Sequence, residues 1–291
     1  MTNIDSPAQD VSWFVRHLVQ YGEAADQLPE LDQLGRAMNL FLYASRRQTV
    51  FPNDSTFPND MAGSACMARA AQQLEATTVL VSYGFHAEVR NLLRSVYESV
   101  GLGRTLAKAR DKREMADKWL KDGVYWPDKI VRRWLDENQV VEPGAVEDYR
   151  SMYREMCAWA HPMARSCMGL FADRGDALEL IPEPAFDLEL CRQTIVEIAA
   201  TAVFACFAFR NALAKEEVID PAWRRDLKDL AEELAGQPLP HLERDWVAEH
   251  ERYDAMIARL RTMDELDEML RQHPRSFDNL SKPGGDPPDA T

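Results

Sequence analysis

In the stretch YREMCAWAHP (153–162) an arginine and a histidine stand seven residues apart. On a helix that is close to two full turns, so Arg154 and His161 fall within about 20° of one face, with Cα atoms about 10.5 Å apart. A guanidinium side chain spans much of that gap. An imidazole titrating near neutral pH can move a proton to or from a ribose 2′-hydroxyl or a leaving oxygen. A guanidinium can hold the phosphate between them through two parallel hydrogen bonds and stabilise the charge that develops there. These are the groups for RNA cleavage, and the reaction written this way uses neither a metal ion nor a cofactor. Arg150 and Arg165 share the stripe and would add substrate-binding charge. Pro162 disfavours helical geometry at His161, which predicts a kink that tilts the imidazole off the helix line. The alternative is that His161 terminates the helix and the arginines form an ordinary solvated face.

A second group lies upstream. Ala87, Asn91, Arg94, Glu98, Gly101 and Thr105 follow one another at steps of four, three, four, three and four, the spacing of a helix–helix seam. The small residues at 87 and 101 would let a neighbouring backbone come close. Arg94 and Glu98 are one turn apart and can pair. Two arrangements suit them. One is a solvated pair on the outer face, worth little. The other is a half-buried pair facing a neighbouring helix, where each charge needs the other and further hydrogen bonds. The apolar stripe of the same helix is Phe85, Val89, Leu92, Leu93, Val96 and Val100.

Other chemistry is sparse. The chain has no GxGxxG, phosphate-binding loop or GxSxG. His250 and Asp254 have metal-ligand spacing, but their helix is charged throughout and reads as a solvated face. Glu75 and Glu98 lack the Glu-x-x-His partner of a di-iron bundle, so no metal site is expected. His17, close to Trp13 and Phe14, and His86, one turn before Arg90, read as half-buried packing. Five cysteines at 66, 157, 167, 191 and 206 form no CxxC. Each lies in an apolar helical pattern and reads as a small buried hydrophobe in a reducing compartment.

Composition bounds the class. Of 291 residues, 46% are hydrophobic and 28% charged, an ordinary globular mix. A net charge of −14 argues against a broad DNA-coating surface. The charge is uneven: residues 61–110 carry six basic and three acidic side chains, and 216–291 carry ten against nineteen. The most apolar run, Ile195–Phe209, is interrupted by Glu197 and falls short of the roughly 18–20 residues that span a bilayer. The N-terminal MTNIDSPAQD is polar and acidic, unlike a signal peptide. A cytoplasmic protein without membrane contact is expected.

The elements that must carry these groups are helical almost throughout, because apolar positions recur at helical rather than strand spacing. The periodicity predicts an N-terminal pair over 10–21 and 28–48. The doubled FPND of 51–60 reads as a loop on account of its prolines and Asx residues. Long helices follow over 61–82, 85–109, 145–172 and 186–215, the last with Asp187 as its cap. Between the second and third stand shorter charged helices, 111–122 and 128–138. Two acidic helices, 221–235 and 241–272, precede a disordered tail. The expected architecture is all-α. A four-helix bundle core occupies 61–215 with an insertion at 111–144, flanked by residues 1–60, by the acidic helices of 216–275 and by the tail 276–291.

Arg154-x6-His161 in a four-helix setting resembles the Arg-x(4–6)-His motif of the HEPN superfamily. LLRSVYESVGLGRTL (92–106) followed by YREMCAWAHP also resembles an uncharacterised bacterial family in which an Arg-x-x-x-Glu helix precedes a Tyr…His-Pro helix. The resemblance spans about 61–215. It implies a HEPN-like bundle and a metal-independent ribonuclease of a phage-defence or toxin–antitoxin type, acting on RNA as a homodimer. Arg154 and His161 take the catalytic positions, and Arg94 and Glu98 order the adjacent helix or complete the site. Many active members carry Asn or another polar residue after the motif arginine; here it is Glu155, whose charge opposes an anionic substrate. The rival expectation is a non-catalytic binding or regulatory protein that docks a partner through its acidic C-terminal helices.

Overall fold

The computed structural model describes residues 12–47, 57–108, 113–123, 128–137, 151, 153–158, 171–173, 175, 177–180, 186–212 and 220–262. The fold is all-α. Its helices are α1 (Ser12–Ala24), α2 (Glu30–Arg47), α3 (Phe57–Ser82), α4 (His86–Lys108), α5 (Arg113–Asp122), α6 (Asp128–Glu137), α7 (Leu188–Ala212), α8 (Pro221–Ala235) and α9 (Trp246–Thr262). Single 3-10 turns cover Ala25–Gln27 and Pro240–Leu242. Residues 153–158 are helical.

Antiparallel α3 and α4 form the central hairpin. Gly84 closes α3 with φ of 77°, a conformation that glycine adopts without a Cβ clash. The Phe85 and Gly84 amides donate back to the carbonyls of Leu80 and Val81, which satisfies the last turn of α3 and reverses the chain. At the other end Asn59 Nδ2 donates to the Leu106 carbonyl at 2.7 Å. The helices come close at Gly103, where a Cβ would lie 3.0 Å from Cys66 Cβ and 3.1 Å from the Gly63 carbonyl. Of the seam expected over 87–105, Gly101 faces the Val131 side chain and Thr105 is buried, while Asn91 is exposed.

Val89, Leu93, Val96 and Val100 of α4 enter one core with α2, α3, α7 and α8. Two boundaries move in consequence. Phe41 of α2, fully buried, and Trp223, Leu227 and Leu230 of α8 belong to this core. The stretches read as flanking helices thus supply part of the bundle. Trp223 Nε1 donates to the Leu40 carbonyl at 2.9 Å and pins α8 to α2. Asp220 caps α8 by accepting from the Ala222 amide, with Pro221 in the first turn. Local pattern leaves this placement open, because propensity marks a helix but not the layer it joins.

Three further differences are local. The second FPND is not loop but the first turn of α3, since a first-turn proline has no intrahelical bond to lose. Residues 171–172, expected at the end of a helix, lie in an antiparallel hairpin of β1 (Phe171–Asp173) and β2 (Leu178–Leu180), with Phe171 opposite Leu180. Gly175, at φ 89°, sits in the reversal. By length and composition α7 is apolar enough to cross a bilayer, longer than the interrupted run suggests; it packs instead at the centre of the bundle, with Ile195, Ile198, Ala202 and Cys206 fully buried.

The insertion helices lie on the hairpin. Ala116 of α5 packs with Ala62, Cys66 and Leu106. Val131, Trp134 and Leu135 of α6 pack with Leu102 and Met115. Gly103→Ala is expected to cost about 1–3 kcal/mol by overpacking. At Gly101 a Cβ meets Val131 Cγ1 at an ordinary 3.5 Å, so Gly101→Ala gains up to about 1 kcal/mol in helix propensity. Urea unfolding of the two variants checks this; equal midpoints would contradict the close crossing.

Candidate functional site

Four chemically active side chains of α4, His86, Arg90, Arg94 and Glu98, stand four residues apart. Each such step turns the direction by about 40°. The stripe therefore begins against α7 and winds round to the 153–158 segment, and each member finds its partner along that path.

At the α7 end, Thr194 Oγ1 donates to the Leu190 carbonyl at 2.7 Å. Its oxygen is then an acceptor for His86 Nδ1–H at 2.9 Å. That assigns the tautomer and leaves His86 Nε2 to accept from Cys191 Sγ at 3.8 Å. His86 is 6% exposed. Burial, then the neighbouring Arg90 charge and His17, lower its pKa to about 4, against a smaller opposing pull from Asp187. Burial raises the Cys191 thiol to about 11 and the Cys66 thiol to about 12, so both are protonated and unreactive near neutral pH. Arg90 makes a fork of two bonds to Glu197, at 2.8 and 2.9 Å. His17 donates through Nδ1 to the Ser82 carbonyl at 3.0 Å. Its ring covers Gly84, where a Cβ would lie only 2.2 Å from His17 Nε2. Both histidines thus serve packing, as their apolar surroundings in the sequence suggest.

At the other end, Arg94 Nε donates to Glu98 Oε1 at 3.0 Å. Their side chains are 23% and 32% exposed, so the half-buried arrangement is the one present. Tyr153 Oη donates to the same Glu98 oxygen at 2.9 Å and accepts from Arg94 Nη2 at 3.3 Å. Burial alone would lower the Arg94 pKa; the Glu98 charge, Tyr153 and Cys157 outweigh it and hold the guanidinium above its ordinary value. The Tyr153 ring lies 5.5 Å from Tyr97 of α4, and Arg132 of α6 sits 4.5 Å over it.

Arg154 and Glu155, next along the segment, are exposed, while Met156 is buried in the core. His161, Arg150 and Arg165 lie outside the described residues. The structure thus joins Arg94 and Glu98 to the segment that carries Arg154, through Tyr153, the tyrosine of the Tyr…His-Pro pattern, for which the sequence marks no partner. Arg132 was likewise unmarked, because an insertion arginine has no periodic relation to α4. His250 turns Nδ1 to the Trp246 carbonyl of its own helix at 2.8 Å. Among the described residues no three His, Cys, Asp or Glu side chains are placed to hold a metal ion.

Comparison of the chain with protein-family models, with characterised proteins and with solved structures finds no match.

His86 gives a pH dependence of stability. The unfolded chain takes up a proton near pH 6.5, whereas the folded chain resists it until about 4. This contribution is therefore complete above pH 6.5 and is lost as pH falls through 4, about 3 kcal/mol in all. Urea unfolding of wild type and His86→Asn across that window should show the steeper loss in wild type; parallel curves would contradict the assignment.

Proposed function

We propose that this chain is a HEPN-like, metal-independent ribonuclease. The observation that carries the reading is the hydrogen bond between Tyr153 and Glu98, 55 residues apart in sequence. It brings the Arg94-x-x-x-Glu98 helix against the start of the segment that runs on to His161. Arg154, exposed one residue beyond that contact, takes the scissile phosphate. His161 accepts the proton of a ribose 2′-hydroxyl as it attacks phosphorus, or protonates the 5′-oxygen as its bond to phosphorus breaks. The products are a 2′,3′-cyclic phosphate and a 5′-hydroxyl. One imidazole performs one of these two transfers, and a second copy of the chain supplies the other, which makes a homodimer part of the proposal. Arg150 and Arg165 bind flanking phosphates. A cytoplasmic role in defence or a toxin system suits such an activity.

The docking alternative receives less support from the C-terminal helices. Four of their acidic side chains are engaged within the chain: Glu233 by Arg36 and Gln33, Glu232 and Glu243 by Lys228, and Glu249 by Arg224 and Arg244. Carboxylates held this way project less charge toward a basic partner.

Purified protein incubated with mixed RNA in EDTA is expected to cleave it. Arg154→Ala and His161→Ala should each lose about 10²- to 10⁴-fold in rate. Equal cleavage by all three proteins would remove the assigned roles. No cleavage by any would overturn the ribonuclease reading.

A further inference from the structure

Three features of the rings around Tyr153 go beyond an ion pair and its hydrogen bond. Phe204 of α7 stacks on Tyr97 of α4, with centroids 5.6 Å apart and planes at 19°. Tyr97 packs on Tyr153 at a tilt of 36°, with centroids 5.5 Å apart. Arg132 of α6 lies over the Tyr153 ring at 4.5 Å. The result is one column, Phe204–Tyr97–Tyr153–Arg132, drawn from four separate elements. Its inner end is anchored, because Tyr97 is 2% exposed and belongs to the main core. Its outer end is a cation over an aromatic face, an attraction that holds without a fixed hydrogen-bond geometry. The Tyr153 hydroxyl is held by Glu98 and Arg94, and the Arg94 guanidinium also lies 5.4 Å from the ring centroid. The ring is therefore held by its contacts with Tyr97 and Arg132 and, at its hydroxyl, by the carboxylate.

We propose that Tyr153 is a positioning residue for Arg154 and that Arg132 makes the insertion a working part of the site. Adjacent Cα atoms are held about 3.8 Å apart by the peptide unit, so the placement of the Tyr153 ring sets where the Arg154 backbone stands. The column locks the 153–158 segment to α4 and α7, and α6 closes it from outside. The consequence for catalysis rests on the ribonuclease reading above; the mechanical link does not. If phosphate binding is left to Arg154 itself, loosening the column reduces the fraction of complexes in productive geometry. Turnover then falls while substrate affinity changes little.

The test combines backbone hydrogen exchange with steady-state cleavage of RNA on the full chain. Tyr153→Phe keeps the ring and removes the hydroxyl. It should speed exchange at 153–158 by roughly 10- to 100-fold, the worth of a hydrogen bond to a charged group, with exchange in the α3–α4 hairpin unchanged. It should lower kcat by a similar factor and leave KM within about twofold, since the phosphate contact survives. Arg132→Gln should loosen the same segment, and Arg132→Lys should restore it by keeping a cation over the ring. These two variants carry the test if Tyr153→Phe does not fold. Unchanged exchange at 153–158 in both Tyr153→Phe and Arg132→Gln would overturn the link. Faster exchange with unaltered kcat would overturn the positioning role. Faster exchange in a chain whose wild type cleaves no RNA would support the link and overturn only the ribonuclease reading.

Discussion

A charged or hydrogen-bonding side chain inside a helical bundle must meet a partner there, because burial without one costs more than most single contacts return. On α4 this constraint applies four times in succession. His86, Arg90, Arg94 and Glu98 cannot all turn to water while Val89, Leu93, Val96 and Val100 face the core. The neighbours are arranged around them. Cys191, Thr194 and Glu197, each three residues on from the last in a mostly apolar α7, receive the first two. Tyr153 receives the last two. The rotation of α7 against α4 and the docking of the 153–158 segment both follow from matching these groups.

The same requirement organises the acidic end of the chain. Arg224 and Glu249 are each about 8% exposed and lie 3.0 Å apart, and Arg244 reaches the second oxygen of that carboxylate. Removing one partner of such a pair strands a buried charge, which is why buried pairs hold registry even when their net contribution is small. Together with Trp223 on the Leu40 carbonyl and Arg36 on Glu233, the pair makes α8 and α9 a continuation of the bundle. Glu232, Glu233, Glu243 and Glu249 are thus tied into the fold by neighbouring cations.

The chemistry proposed for Arg154 would draw on a different feature of the fold from its stability. The rings beside Glu98 are partly open to solvent, and Arg154, which is exposed, follows Tyr153 in the chain. A rigid support with an exposed guanidinium beyond it is the arrangement a phosphate-handling site requires, since side chains placed on ordered elements lose little freedom on binding. Arg132 extends that support into α6, so the insertion is tied to the segment rather than hung on the outside of the fold.

Much of the fold was legible in residue pattern. The apolar stripe of α4, the Asp187 cap of α7, which accepts from the Leu190 amide, and the two insertion helices stand where periodicity and capping chemistry place them. Pattern within one element is a local property, and local rules read it. What lay beyond them was the relation between elements: α2 and α8 in the core and the close crossing at Gly103. The candidate site divides in the same way. Arg94 and Glu98 announce each other by their spacing, whereas their meeting with Tyr153, and that of Tyr153 with Arg132, needs segments far apart in the chain to be brought together. Residue order by itself determined which helices form and which faces are apolar. Tertiary packing alone decided which polar groups share a partner, because hydrogen bonds and ring stacking act over a few ångströms of space and are indifferent to separation along the chain.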